Sequence, residues 1–215
     1  LWERNLRFPP DFSKMKVRLL ANENPYGPSD KTKQAIMESV SMGNRYGHMD
    51  AMKLKKMLAE KEGVSPEHIM LGPGSTDLLE KVAIVTCGKG GNIVSADPSY
   101  MAIMKTAMAV GTEWNPVPLT SDYAHDLDGM KEAMNKKTKL VYVCNPNNPT
   151  GTLTNADKLR AFCEEASTKV PVFVDEAYIE FLEKGMESSM VDLVAKGKNI
   201  IISRRSEEHT SELQS

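Results

Sequence analysis

Residues 139–151 read KLVYVCNPNNPTG, and the fold follows from how that stretch divides. Its first half, Leu140 to Cys144, is apolar without alternation, as in a strand buried on both faces. Its second half holds two Asn-Pro pairs and a Gly, which force an irregular, stiff loop. A second stretch, VPVFVDE at 170–176, repeats the pattern: an apolar run that ends on acids. Doubly buried strands belong to largely parallel sheets with helices on both faces.

Working outward, the strand candidates are His68–Leu71, Asn92–Ala96, Glu113–Pro118, Lys139–Asn145, Val170–Asp175 and Asn199–Ser203. Helical patterns lie between them. SDKTKQAIMESV starts at Ser29 as N-cap, and TNADKLRAFCEEA pairs Thr154 with Asp157 at capping-box spacing. AMKLKKMLAEKEG closes on Gly63, with Met52, Leu54, Met57 and Leu58 as a core stripe. The 14 methionines are expected to fill such stripes. The class is α/β with a central, mostly parallel sheet.

The length of 215 residues allows one large domain or slightly more. A net charge of -2, with no basic run, argues against a nucleic-acid partner. Cys87, Cys144 and Cys163 form neither a CxxC nor a zinc spacing, which points to a reducing compartment and no structural metal. No apolar stretch reaches membrane-spanning length, and the cytoplasm is the default location. The chain opens on Leu1 rather than Met, so the native N-terminus is expected to be missing, which leaves room for a removed export signal.

Four stretches follow strands, where open α/β sheets place their ligands. In LGPGSTDLLEKV, Gly72 and Gly74 turn the chain before Ser75 and Thr76 open a helix. Free N–H groups, two hydroxyls and the positive end of the helix make a phosphate cradle. An ordinary N-cap would look the same, and the spacing is not that of a nucleotide P-loop. In DPSYMAIM, Tyr100 is placed to stack on a flat ring or to pack on the sheet edge. The NPNNPTG loop gives Asn148 a fixed amide. In VFVDEAYIEF, Asp175 closes an apolar strand, where a carboxylate needs a cation or serves as a turn cap. A protonated ring nitrogen would supply that cation, and Tyr178 follows three residues on.

Taken together, NPNNPTG and VDEAY at this separation resemble the fold-type I pyridoxal-phosphate aminotransferases of class I/II. The nearest branch is the histidinol-phosphate aminotransferases, whose N-terminal segment and tyrosine motif resemble LLANENPYGPS and NRYG. The resemblance runs from about Val17 to Arg204. It implies a three-layer αβα large domain whose C-terminal small domain is absent here, and pyridoxal 5'-phosphate as cofactor. The division implied is an N-terminal arm over 1–30, a partial cofactor-binding domain over 31–204 and a non-native tail over 205–215.

The roles implied are these. Gly74, Ser75 and Thr76 hold the cofactor phosphate, and Tyr100 stacks on the pyridine ring. Asn148 and Tyr178 bond the phenolic oxygen, and Asp175 pairs with the ring nitrogen. Tyr46 reaches the cofactor phosphate of a second subunit, which implies a homodimer. Asn22 and Tyr26 lie near the substrate entrance. The substrates implied are an amino acid or histidinol phosphate with 2-oxoglutarate as the 2-oxo acid; neither nucleic acid nor membrane is a partner. RYGHM departs from the branch at Gly47 and His48, which puts histidinol phosphate in doubt as substrate and leaves His48 a loop residue. Two other readings stay open. One is a pyridoxal-phosphate lyase such as a threonine-phosphate decarboxylase; the other is a noncatalytic, aminotransferase-like ligand-binding domain.

The family's strand at this point runs into Arg-Thr-Phe-Ser-Lys, whose lysine forms the Schiff base. Aligning Arg204 on that arginine puts Glu208 at the lysine position. RSEEHTSELQS, from Arg205 to Ser215, is instead the in-frame translation of a common sequencing-library adapter. Arg205–Ser215 is therefore expected to be non-native, and the chain as written to be inactive, with Lys196 and Lys198 as surface residues.

Overall fold

The computed structural model describes residues 16, 22, 24–88 and 90–205. Its sheet has five parallel strands: β1 Asn92–Asp97, β2 Glu113–Pro118, β3 Thr138–Cys144, β4 Val172–Asp175 and β5 Ile200–Ser203. Their order is β2-β1-β3-β4-β5. The helices are α1 Asp30–Ser39, α2 His48–Glu62, α3 Ser75–Cys87, α4 Ala102–Ala109, α5 Leu127–Ala133, α6 Ala156–Ala166, α7 Gly185–Ser188 and α8 Val191–Ala195.

Successive strand residues point to opposite faces, so each apolar run feeds two cores. On one face Ile93, Leu140, Tyr142, Cys144 and Phe173 pack against Leu79 and Ala83 of α3 and Ile103 and Met104 of α4. On the other, Val94, Val141, Val143, Val172 and Val174 meet Met130 of α5, Leu159 and Phe162 of α6 and Leu193 of α8. The result is the expected αβα sandwich. Because β2 and β3 lie on opposite sides of β1, the chain changes direction between β1 and β3. That reversal opens a crevice at the strands' C-terminal ends.

Several local expectations need correction. His68–Leu71 is not a strand: Pro66–His68 forms a 3₁₀ turn, and Ile69 is extended without a sheet partner among the described residues. Ile69, Met70 and Leu71 form a short apolar run, but such a run alone supplies no neighbour to pair with. The cap of α6 is Asn155, whose side chain accepts from Lys158 N, while Thr154 turns to His125. His48 is the first residue of α2 rather than a loop residue. The α2 stripe is also not core, since Met52, Leu54 and Met57 are exposed, as are Met37, Met42 and Met49 nearby. Methionines fill the core at Met104, Met130 and Met190. Ser29 does cap α1, and Gly63 ends α2 in the left-handed conformation at φ 68.

Candidate functional site

The crevice gathers the loops after β1, β3 and β4 and the start of α3. The two loops that flank the chain reversal are tied together. Ser99 Oγ donates to Asn147 Oδ1 at 2.9 Å, and Asn147 Nδ2 donates to Pro98 O at 3.1 Å and Thr150 Oγ1 at 2.8 Å. Asn145 Oδ1 accepts from Thr154 N at 2.8 Å, which closes the NPNNPTG loop on itself. The Asp97-Pro98, Asn145-Pro146 and Asn148-Pro149 bonds are cis. Asn147 and Ser99, both buried, therefore brace the loop that carries Asn148. Sequence reading passed over both, although two adjacent asparagines in one stiff loop signalled that one of them serves as a brace.

Asn148 Nδ2 reaches Tyr178 Oη at 3.4 Å, and Asn22 Nδ2 reaches the same phenol at 3.2 Å. An amide and a hydroxyl thus converge where a ligand oxygen could receive both. Asn22 holds a positive φ of 49, a conformation that asparagine tolerates better than most residues. Tyr178 also packs on Phe181, with ring centroids 6.3 Å apart.

At the start of α3, Gly74 has φ 85 and ψ 162 and provides no side-chain cap, so the first-turn N–H groups are left to an outside acceptor. Asp77, the acid of that turn, is engaged by Lys81 at 2.6 Å. Thr76 Oγ1 lies 3.4 Å from Tyr100 Oη, which brings the α3 start to the half-buried aromatic after β1. An anion fits the helix end, and a flat group fits beside Tyr100.

Asp175 ends β4 and is 2% exposed. Its Oδ1 accepts from Ser203 Oγ at 2.6 Å and Ala177 N at 3.2 Å, and its Oδ2 accepts from Tyr142 Oη at 2.9 Å. Burial pushes its pKa up, against those three bonds and, last in size, the charge of Arg205. The same environment lifts the Tyr142 phenol well above its usual value, first through burial and then through the Asp175 charge. The Cys144 thiol, pushed up to about 12 mainly by burial, stays neutral. A carboxylate kept in so dry a setting is complementary to a cationic N–H.

Glu176, next in sequence, turns to the opposite face. It accepts from Ser189 Oγ and Met190 N, both at 2.8 Å, and from Arg204 Nε at 2.9 Å. Arg204 also approaches Glu62 at 3.4 Å and Glu180 at 3.7 Å. Tyr46 is 92% exposed and stacks on His48 at 5.5 Å, while Tyr26 is 81% exposed. No described contact joins either to the crevice. Glu208 lies outside the described residues, as do the rest of the tail beyond 205 and most of the N-terminal arm. Lys196 pairs with Asp192 on the surface at 2.8 Å, and Lys198 is exposed.

Known proteins share this fold and much of this sequence. The histidinol-phosphate aminotransferase of Stutzerimonas stutzeri is 38% identical over 188 residues, which cover 87% of this chain and 50% of that protein. The crystal structure of histidinol-phosphate aminotransferase from Sinorhizobium meliloti, in complex with pyridoxal-5'-phosphate, superposes with a TM-score of 0.77 at 27% identity. That match covers 87% of this chain and 50% of the other. The L-threonine-O-3-phosphate decarboxylase of Porphyromonas gingivalis shares the fold alone, at TM-score 0.69 and 20% identity over 83% of this chain and 54% of its own. The chain spans about half the length of the curated relatives it matches. The family described as aminotransferase class I and II matches residues 14–204, far more than half of the sequence, and the chain belongs to that family.

Proposed function

We propose that this chain is part of a pyridoxal-phosphate-dependent aminotransferase that moves an amino group between histidinol phosphate and 2-oxoglutarate. The observation that carries the reading is the buried Asp175 carboxylate, held by uncharged donors one strand-end away from the convergent Asn148 and Tyr178. The donor set fits the cofactor group by group. Asp175 supplies the anion for a protonated ring nitrogen, Asn148 and Tyr178 meet the phenolic oxygen, and Tyr100 offers a stacking face. Gly74, Ser75 and Thr76 present the α3 N-terminus to the phosphate. When bound, the cofactor supplies an electron sink for cleavage of bonds at the substrate Cα. The chain's own part is to bind it, orient its ring and keep the ring nitrogen protonated beside Asp175.

Asn22, bonded to Tyr178, stands on the substrate side of the site. Tyr46 serves a second subunit. Its exposure, together with exposed Ile36 and Met37 on α1, Val40 in the 3₁₀ turn that follows, and Met49 and Met52 on α2, supports a homodimer that covers this face. The family match ends at residue 204, which is consistent with residues 205–215 being a translated adapter; the division into an arm over 1–30 and a partial large domain over 31–204 is part of the same proposal. With Glu208 at the lysine position, this chain is expected to bind the cofactor without turning substrate over.

Two experiments test the reading. Resequencing the parent gene beyond the Arg204 codon should give Thr-Phe-Ser-Lys or a close relative; a genomic polar tail would refute the adapter origin. The intact gene product should then form glutamate from 2-oxoglutarate and histidinol phosphate. Release of CO₂ from threonine phosphate, without glutamate formation, would replace the aminotransferase by a decarboxylase.

A further inference from the structure

We infer that Tyr142 and Ser203 are positioning residues that act through Asp175, fixing its carboxylate so that one acceptor position on Oδ2 faces the cofactor's ring nitrogen. This inference rests on the proposed pairing of Asp175 with that nitrogen. Neither residue belongs to the motifs that carry the family resemblance.

The argument starts from register. β3 and β4 pair in parallel with Cys144 opposite Asp175, and β4 and β5 pair with Asp175 opposite Ser203. Tyr142 is two residues before Cys144, so it shares the face of Asp175 and its phenol spans the distance to the carboxylate. Ser203 stands directly beside Asp175 on the neighbouring strand. A carboxylate has about four acceptor positions. Ser203 Oγ and the Ala177 N–H take the two on Oδ1, and Tyr142 takes one on Oδ2. On these bonds the remaining Oδ2 position is the one offered to a ligand.

The two hydroxyls also oppose the effect of burial. Each is a neutral donor to a group 2% exposed, so each favours the charged carboxylate that a pyridinium needs. Tyr142 and Ser203 are themselves buried, at 0% and 2% exposed, so their hydroxyls are withdrawn from water; both donate to Asp175, and the Tyr142 phenol also neighbours the Cys144 thiol. Tyr142 lies in the apolar run Leu140–Cys144, where its phenol is the one hydroxyl and calls for a partner.

The test compares two ligands on the 215-residue chain: pyridoxal phosphate and its analogue with CH in place of the ring nitrogen. The wild type is expected to bind pyridoxal phosphate more tightly. Tyr142→Phe and Ser203→Ala are each expected to reduce that preference about tenfold, the scale of one hydrogen bond to a charged group. Ser203→Thr, which keeps the hydroxyl, should preserve it. A wild-type chain without the preference overturns the Asp175 reading itself. A preference retained in both Tyr142→Phe and Ser203→Ala overturns the positioning role and leaves the Asp175 reading standing.

A second measurement needs no cofactor: carbon-13 titration of the Asp175 carboxyl by NMR. Its midpoint should rise in Tyr142→Phe and in Ser203→Ala relative to wild type. An unmoved midpoint in either folded variant overturns the inference for that residue.

Discussion

Asp175 and Glu176 are neighbours in sequence, buried at 2% and 1%, and held by partners of different kinds. Strand alternation sends Asp175 to the α3–α4 face and Glu176 to the α5–α8 face. Glu176 meets the guanidinium of Arg204 together with Ser189 and Met190 N. Asp175 meets two hydroxyls and an amide. Burial raises both pKa values, and for Glu176 the Arg204 charge is the largest opposing influence. One acid is paired with a close guanidinium; the other is held mainly by neutral donors, with Arg205 the weakest influence, and in the proposed function it meets a ring nitrogen. A buried charge completed internally ties elements together; one left for a ligand costs stability and offers affinity.

The largest effect should come from breaking the completed pair. Arg204→Met strips Glu176 of its cation and also releases Glu62 and Glu180. Urea denaturation should show a loss of roughly 3–5 kcal/mol, the usual cost of orphaning one partner of a buried pair. A change below about 1 kcal/mol would break the comparison, because Glu176 would then be no better completed than Asp175.

Acid titration sharpens the comparison from another direction. Burial lowers the pKa of His125 from 6.5 to about 4, and its Nδ1 lies 2.9 Å from Thr154 Oγ1. The folded chain therefore holds this imidazole neutral where the unfolded chain protonates it. Its contribution is full above pH 6.5 and is lost as pH falls toward about 4, by roughly 3 kcal/mol. The two carboxyls have the opposite sign. Their raised pKa values make the folded chain the better proton binder, so their contribution falls as pH rises through the folded values. His125→Gln should remove the acid-side loss and expose the opposite slope. A profile identical to wild type would mean that His125 is protonated equally in both states.

Much of this organisation was legible beforehand, for reasons visible in particular residues. Continuous apolar runs such as Leu140–Cys144 announce doubly buried strands, and the Asn-Pro pairs fix a loop whatever surrounds it. Asp175 stood out as a charge at the end of such a run. What could not be read was everything that depends on partners distant in sequence. Tyr142 and Ser203 meet Asp175 only because two strand registers align them. The apolar stripe of α2 looked like core because periodicity reports an apolar face and not what covers it. Thr154 and Asn155 are both good caps, and the choice fell to Asn155 because His125 engages Thr154.

A smaller effect, of reversed sign, is expected at Asp175. Asp175→Asn keeps the shape and removes a charge that burial disfavours, so stability at neutral pH should rise by about 1 kcal/mol. The same substitution at the neighbouring acid, Glu176→Gln, should lower it, because Arg204 would lose the shortest and most buried of its carboxylate partners. Two substitutions of like chemistry on adjacent residues thus separate a structural charge from a functional one by sign alone. If both lower stability, Asp175 is as much a structural acid as Glu176.

The smallest effect asked for is a coupling. Tyr142→Phe alone takes a donor from a buried carboxylate; in the Asp175→Asn background, where the amide oxygen keeps Ser203 and Ala177 N, it takes an acceptor from the neutral amide N–H. The hydrogen bond to a charged acceptor is the stronger of the two. The double-mutant cycle should therefore give a coupling of about 0.5–1 kcal/mol, with Tyr142→Phe costing more when Asp175 is intact. The cycle removes any packing loss common to both backgrounds, so it isolates the phenol–carboxylate bond from the burial of the ring against Phe173. A coupling of zero would mean that Tyr142 is held in place by that ring packing, with its hydroxyl a passenger, and that Asp175 is oriented from the β5 side by Ser203.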